Sequence, residues 1–85
     1  MRMFVISDNN DTLAGMRLAG VDGVVLHTRE EVINELGRLY ADSAVAIILI
    51  TGKLSELAGD YIEEQKQKNP MLLILDIHDR HGVTG

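Results

Sequence analysis

Residues 45–50 read Val45-Ala46-Ile47-Ile48-Leu49-Ile50 (VAIILI). Every one is apolar, four are β-branched, and nothing alternates with a polar residue. A strand with one wet face would alternate, so this one is expected to be covered on both faces, as in a parallel sheet flanked by helices. Upstream, Thr28-Arg29-Glu30-Glu31 has the form of a capping box opening a helix. That helix carries Val32, Ile33, Leu36, Leu39 and Tyr40 on one face and Glu30, Asn34, Glu35 and Arg38 on the other. Downstream, Thr51-Gly52 begins a helix with Leu54, Leu57, Ala58, Tyr61 and Ile62 at helical spacing, stopped by Asn69-Pro70. Met71 to Ile77 reads as a further apolar strand.

Toward the N-terminus, Met3 to Ile6 reads as a short buried strand closed by Ser7-Asp8-Asn9-Asn10-Asp11. A helix is expected from about Asp11 to Ala19, with Gly20 as its stop, and then a strand over Gly23 to Leu26. The order is β-α-β-α-β-α-β. With right-handed crossovers this predicts a small doubly wound α/β domain over residues 1–77. Its four-stranded, mainly parallel sheet would have helices on both faces, as in flavodoxin-like and receiver domains. The strand order 2-1-3-4 follows by analogy with those sheets. Residues 78–85 (HDRHGVTG) form a polar tail.

Eighty-five residues make one domain. Eight basic against thirteen acidic residues give a net charge of −5, with Lys and Arg scattered. This argues against nucleic acid and anionic membrane as partners. The chain has no cysteine, so disulfides and cysteine-ligated zinc are excluded. No apolar run is long enough to span a bilayer, and MRMFVIS lacks a signal-peptide core. The expectation is a cytoplasmic chain without membrane insertion, compatible with a place in a membrane-bound assembly.

Ligands of open α/β sheets bind beyond the carboxyl ends of the strands. Those ends carry residues 7–11, His27-Thr28, Thr51-Gly52-Lys53 and His78-Asp79. Asp8 and Asp11 could hold Mg²⁺, as receiver domains do after their first strand. A receiver also needs an aspartate at the end of its third strand, and here that strand ends in Ile50-Thr51-Gly52. Capping of the first helix is therefore the preferred reading of the acidic loop. Gly15 and Gly20 do not form GxGxxG, and Gly52-Lys53 is followed by Leu54, so no nucleotide loop is present. His78, Asp79 and His81 make only a weak metal pattern in a tail. Ser7, Ser43 and Ser55 lack a nucleophile-elbow context. The sequence thus assigns no catalytic residue, cofactor or metal.

The first helix is unusual. In Leu13-Ala14-Gly15-Met16-Arg17-Leu18-Ala19 no face is clearly polar, and a helix apolar all round touches something on more than one side. One side can be the sheet and another a partner protein. The candidate interface is Gly15, Met16, Arg17 and Leu18. Arg17 could equally pair within the domain, with Asp11 or Asp22.

VISDNNDTLAGMRLAGV (residues 5–21) closely resembles the opening of the F subunit of V-type and archaeal A-type rotary ATPases. Its most specific part is Gly15-Met16-Arg17-Leu18-Ala19-Gly20-Val21. AIILIT (residues 46–51) and PMLLILDI (residues 70–77) resemble that family's third and last strands, at matching spacing. One departure is His78, where the family usually has proline. The resemblance implies a non-catalytic component of the rotor stalk, bound to the long coiled-coil D subunit. It would support coupling of ATP hydrolysis or synthesis to H⁺ or Na⁺ transport. Family members continue into a C-terminal helix that packs on the D subunit, whereas this sequence ends at Gly85, so the expectation is an N-terminal domain without that helix. The competing expectation is a receiver-like domain binding Mg²⁺ or a small ligand at the strand ends.

Overall fold

The computed structural model describes residues 2–42 and 45–77. Strand β1 (Arg2–Ser7) leads into helix α1 (Asn10–Leu18), then β2 (Asp22–Val25) and α2 (Arg29–Tyr40). Strand β3 (Val45–Thr51) is followed by α3 (Gly52–Leu57), α4 (Gly59–Lys68) and β4 (Leu73–Ile77). The sheet has the order β2-β1-β3-β4 and all three pairings are parallel, so the expected doubly wound α/β fold and strand order are found.

Strand alternation sorts the core into two unequal layers. Phe4, Ile6, Ile48, Ile50 and Ile74 point to one face, where they are sealed under α2, α3 and α4 by Val32, Leu36, Leu39, Leu54 and Ile62. Val5 and Leu49 point to the other face, where the layer is thin and centres on Leu13 of α1. VAIILI thus has helices on both sides.

Helix α2 begins with the full capping box. The Glu31 backbone N–H donates to the Thr28 hydroxyl at 3.2 Å. The Glu31 carboxylate accepts from the Thr28 N–H at 3.1 Å and the His27 N–H at 3.0 Å. These bonds stabilise the charged form and hold the Glu31 carboxyl below its ordinary range.

The single helix expected after Thr51 is broken in two. Ala58 leaves helical geometry (φ −123°, ψ 24°). Gly59, a weak helix former, follows it. Arg29 of α2 stabilises the break. Its guanidinium donates to the Leu57 carbonyl at 3.0 Å, a group that a continuous helix would offer to the Tyr61 N–H. The same guanidinium grips Asp60, in the first turn of α4, through two bonds of 2.6 and 3.1 Å. This side-chain pairing also lowers the Asp60 pKa. The last strand is shorter than expected as well. A turn closed by the Leu72 N–H and the Asn69 carbonyl (3.1 Å) delays pairing to Leu73 and leaves Met71 exposed.

Candidate functional site

The acidic loop at the end of β1 is held together internally. The Ser7 hydroxyl, fully buried, donates to the Asn9 carbonyl at 2.7 Å and accepts the Asn9 N–H at 3.0 Å. The Asn9 side-chain oxygen then accepts the Thr12 N–H at 2.7 Å, making Asn9 the N-cap of α1. Asp11 lies in the first helical turn, where a carboxylate complements the helix dipole. Asp8 accepts from the Asn9 amide at 3.3 Å, and its own N–H donates to the Thr51 hydroxyl at 3.2 Å. Thr51 stands, fully buried, where a receiver domain would place its phosphorylated aspartate. Among the described residues no three His, Cys, Asp or Glu converge as metal ligands.

The remaining sequence candidates separate in space. The Ser55 hydroxyl donates to Asp76 at 2.7 Å, tying α3 to β4. Lys53 is exposed at the start of the short helix α3. Ser43, His78, Asp79 and His81 lie outside the described residues. A cleft of about 510 Å³ between Tyr40, Val45, Lys68 and Leu72 opens at the opposite, amino end of β3.

The end of α1 explains half of its sequence signature. Gly20 takes a left-handed conformation (φ 88°), which favours glycine. The Val21 N–H donates to the Met16 carbonyl at 2.9 Å and the Gly20 N–H to the Arg17 carbonyl at 3.0 Å, the paired bonds of a Schellman stop. Met16 and Val21 both pack on the thin core layer. Ala19-Gly20-Val21 is therefore a device for ending the helix and turning the chain into β2. Gly23 follows at the point where β2 crosses closest to Val5 and Leu13.

Within the other half of the signature, the Arg17 and Leu18 side chains stand at the surface. Leu18 is 91% exposed. Arg17 is also exposed, and its guanidinium reaches the Gly23 carbonyl at 3.5 Å, the limit of a hydrogen bond. Asp22, one of the carboxylates suggested for it, lies 3.7 Å from Arg2 instead. Gly15 faces open space and Met16 is half-buried. The capping reading of the loop holds, and the structure picks Asn9 from it as the cap. Sequence reasoning missed the exposure of Leu73 and Leu75 on β4, for which the continuous apolar runs held no signal.

The profile of the family described as ATP synthase (F/14-kDa) subunit matches residues 3–85. The A-type ATP synthase F subunit of Methanothermobacter thermautotrophicus is 33% identical over 81 residues, covering 94% of this chain and 74% of that protein. The A-type ATP synthase F subunit of Methanocaldococcus jannaschii is 32% identical over 83 residues, covering 96% of this chain and 79% of that protein. No solved structure matches. No helix among the described residues is long and apolar enough to cross a membrane. With the first-helix signature, the fold and the family match in agreement, this chain belongs to the ATP synthase (F/14-kDa) subunit family, as a component of an A/V-type ATP synthase.

Proposed function

We propose that this chain is a non-catalytic component of the central rotor stalk, on the cytoplasmic side of the membrane-bound enzyme. It binds the coiled-coil D subunit and supports the coupling of ATP turnover to H⁺ or Na⁺ movement. The carrying observation is the C-terminal half of α1, where Leu18 stands in solvent beside Arg17 although the stop signals around them serve the fold. An exposed leucine at the end of a helix with no polar face suits a protein partner. Gly15 and Met16 complete the proposed contact, Gly15 by allowing close approach. The internally satisfied loop at Ser7 to Thr12 supports a binding role over a catalytic one.

The test is co-purification of the full chain with the coiled-coil stalk protein from cells expressing both. Arg17→Ala and Leu18→Ser are expected to weaken the complex while shifting the melting temperature of the isolated domain little. An Arg17→Ala variant that melts much lower yet binds normally assigns Arg17 to the fold. Absence of any complex where the rest of the enzyme assembles removes the reading.

A further inference from the structure

Between α3 and α4 the chain leaves helical geometry at one residue, Ala58. The usual backbone causes of a helix break are missing there. The only proline is Pro70, and among the described residues the only positive φ belongs to Gly20. Alanine is the best helix former, and Ala58 is fully buried in the main core layer. Gly59 already lies within α4, and an added Cβ there would meet nothing within 4 Å. Neither space nor backbone conformation requires glycine at that position.

Part of the helical ladder already crosses the gap. The Ala58 N–H donates to the Leu54 carbonyl at 3.1 Å, and the Ile62 N–H to the Ala58 carbonyl at 2.9 Å. The bonds that would carry the helix through Ala58 are not made. These run from the Gly59 N–H to the Ser55 carbonyl and from the Tyr61 N–H to the Leu57 carbonyl. The Leu57 carbonyl is taken instead by the Arg29 guanidinium, which also holds Asp60. A side chain inserted into the ladder is a known cause of a break.

The hold is a surface one, since the Arg29 side chain is 47% and that of Asp60 73% exposed. Exposed ion pairs contribute little to stability. The core does not choose between the two arrangements. Leu54, Ala58 and Ile62 are spaced i, i+4, i+8, so one continuous helix would keep all three on the same side.

We infer that Arg29 is the latch of a two-state helix. Engaged, it keeps residues 52–68 as α3 and α4. Released, it frees the Leu57 carbonyl for the Tyr61 N–H, and the segment closes into one helix. Gly59 opposes that closure, because glycine weakens a helix interior. Closure changes the angle at which α3 leaves β3 after Thr51, and with it the contact from Ser55 to Asp76 of β4. The latch lies within the chain and depends on no partner, so it stands or falls apart from the stalk reading.

NMR of the full chain tests it, through carbon-13 shifts and amide hydrogen exchange. In the unsubstituted chain the Ala58 shifts should lie outside the helical range, and the Tyr61 amide should exchange faster than that of Ile62. In Arg29→Ala the Ala58 shifts should become helical, and exchange at Tyr61 should slow about 10-fold, the effect of one newly closed bond. Gly59→Ala should move both readouts the same way by less, and the double variant should complete the change. Circular dichroism checks that each variant folds. An Ala58 that stays non-helical in the folded double variant overturns the inference. So does a Tyr61 amide already as protected as that of Ile62 in the unsubstituted chain. Unfolding of Arg29→Ala also overturns it, because a releasable latch is not required for the fold.

Discussion

Gly23→Ala is the sharpest test of how β2 and α1 are joined. A methyl group at this position would stand 2.2 Å from Val5 Cγ1, 2.4 Å from the Val5 carbonyl oxygen and 2.9 Å from Leu13 Cδ1. A flexible side chain could move aside. The Val5 oxygen cannot, because it belongs to the central strand β1, which pairs on both sides. Relief therefore requires β2 to shift away, pulling α1 with it. Overpacking of this kind costs about 3 kcal/mol. A domain of this size has a total stability of roughly 4–13 kcal/mol, so the loss is a large share of it. Urea unfolding followed by far-UV circular dichroism should show a midpoint far below that of the unsubstituted chain. The melting temperature should drop by roughly 12–24 °C. The control is Gly37→Ala in the exposed face of α2, where an added Cβ meets nothing within 4 Å. There alanine should stabilise by about 0.5–1 kcal/mol through helix propensity. A Gly23→Ala protein as stable as the parent would refute the packing argument.

Two further outcomes follow from the charged and buried polar groups. Asp60, paired with Arg29, and Glu31, in the capping box, both titrate below their ordinary range in the folded chain. Depressed carboxyl pKa values contribute stability that is present above the unfolded value, about pH 4, and is lost as pH falls through the folded value. Urea midpoints should therefore fall on acidification from about pH 6 to about pH 2.5, and Asp60→Asn should flatten that slope. A midpoint that rises on acidification contradicts the pairing. The Tyr40 hydroxyl is buried with no hydrogen-bond partner among the described residues, and burial pushes its pKa up to about 12. Tyr40→Phe removes that unsatisfied group and should raise stability by about 1 kcal/mol in urea unfolding. A loss of similar size would mean that the hydroxyl is bonded in solution.

Much of the architecture was legible because local signals and global pattern agree. VAIILI announced a strand between two layers, and Thr28 to Glu31 announced a helix start; both stand as read. The break at Ala58 was not legible, since it depends on Arg29, which arrives from another helix far back in the chain. Apolar periodicity runs straight across it from Leu54 to Ile62. The exposure of Leu73 and Leu75 was hidden for a related reason. A strand looks the same in sequence whether or not a helix covers its second face, and β4 reads Leu-Ile-Leu in either case.

At the candidate site, the sequence marked the right helix but merged two roles. Residues 15–21 carry the family signature, and the structure divides it. Gly20 and Val21 end the helix, whereas Arg17 and Leu18 remain at the surface. The left-handed glycine and its two capping bonds could be anticipated from Gly20 alone. The exposure of Leu18 could not, because its neighbours are equally apolar and only the orientation of α1 against Gly23 decides which side faces out.

Whether this chain is a binding component of the stalk is decided most directly by mixing the full chain with the purified coiled-coil stalk protein. Mass is then recorded by size-exclusion chromatography with light scattering. A single 1:1 complex at micromolar concentrations, depleted by Leu18→Ser, is the predicted result. Two separate peaks at tens of micromolar, with both proteins folded, would contradict the stalk role.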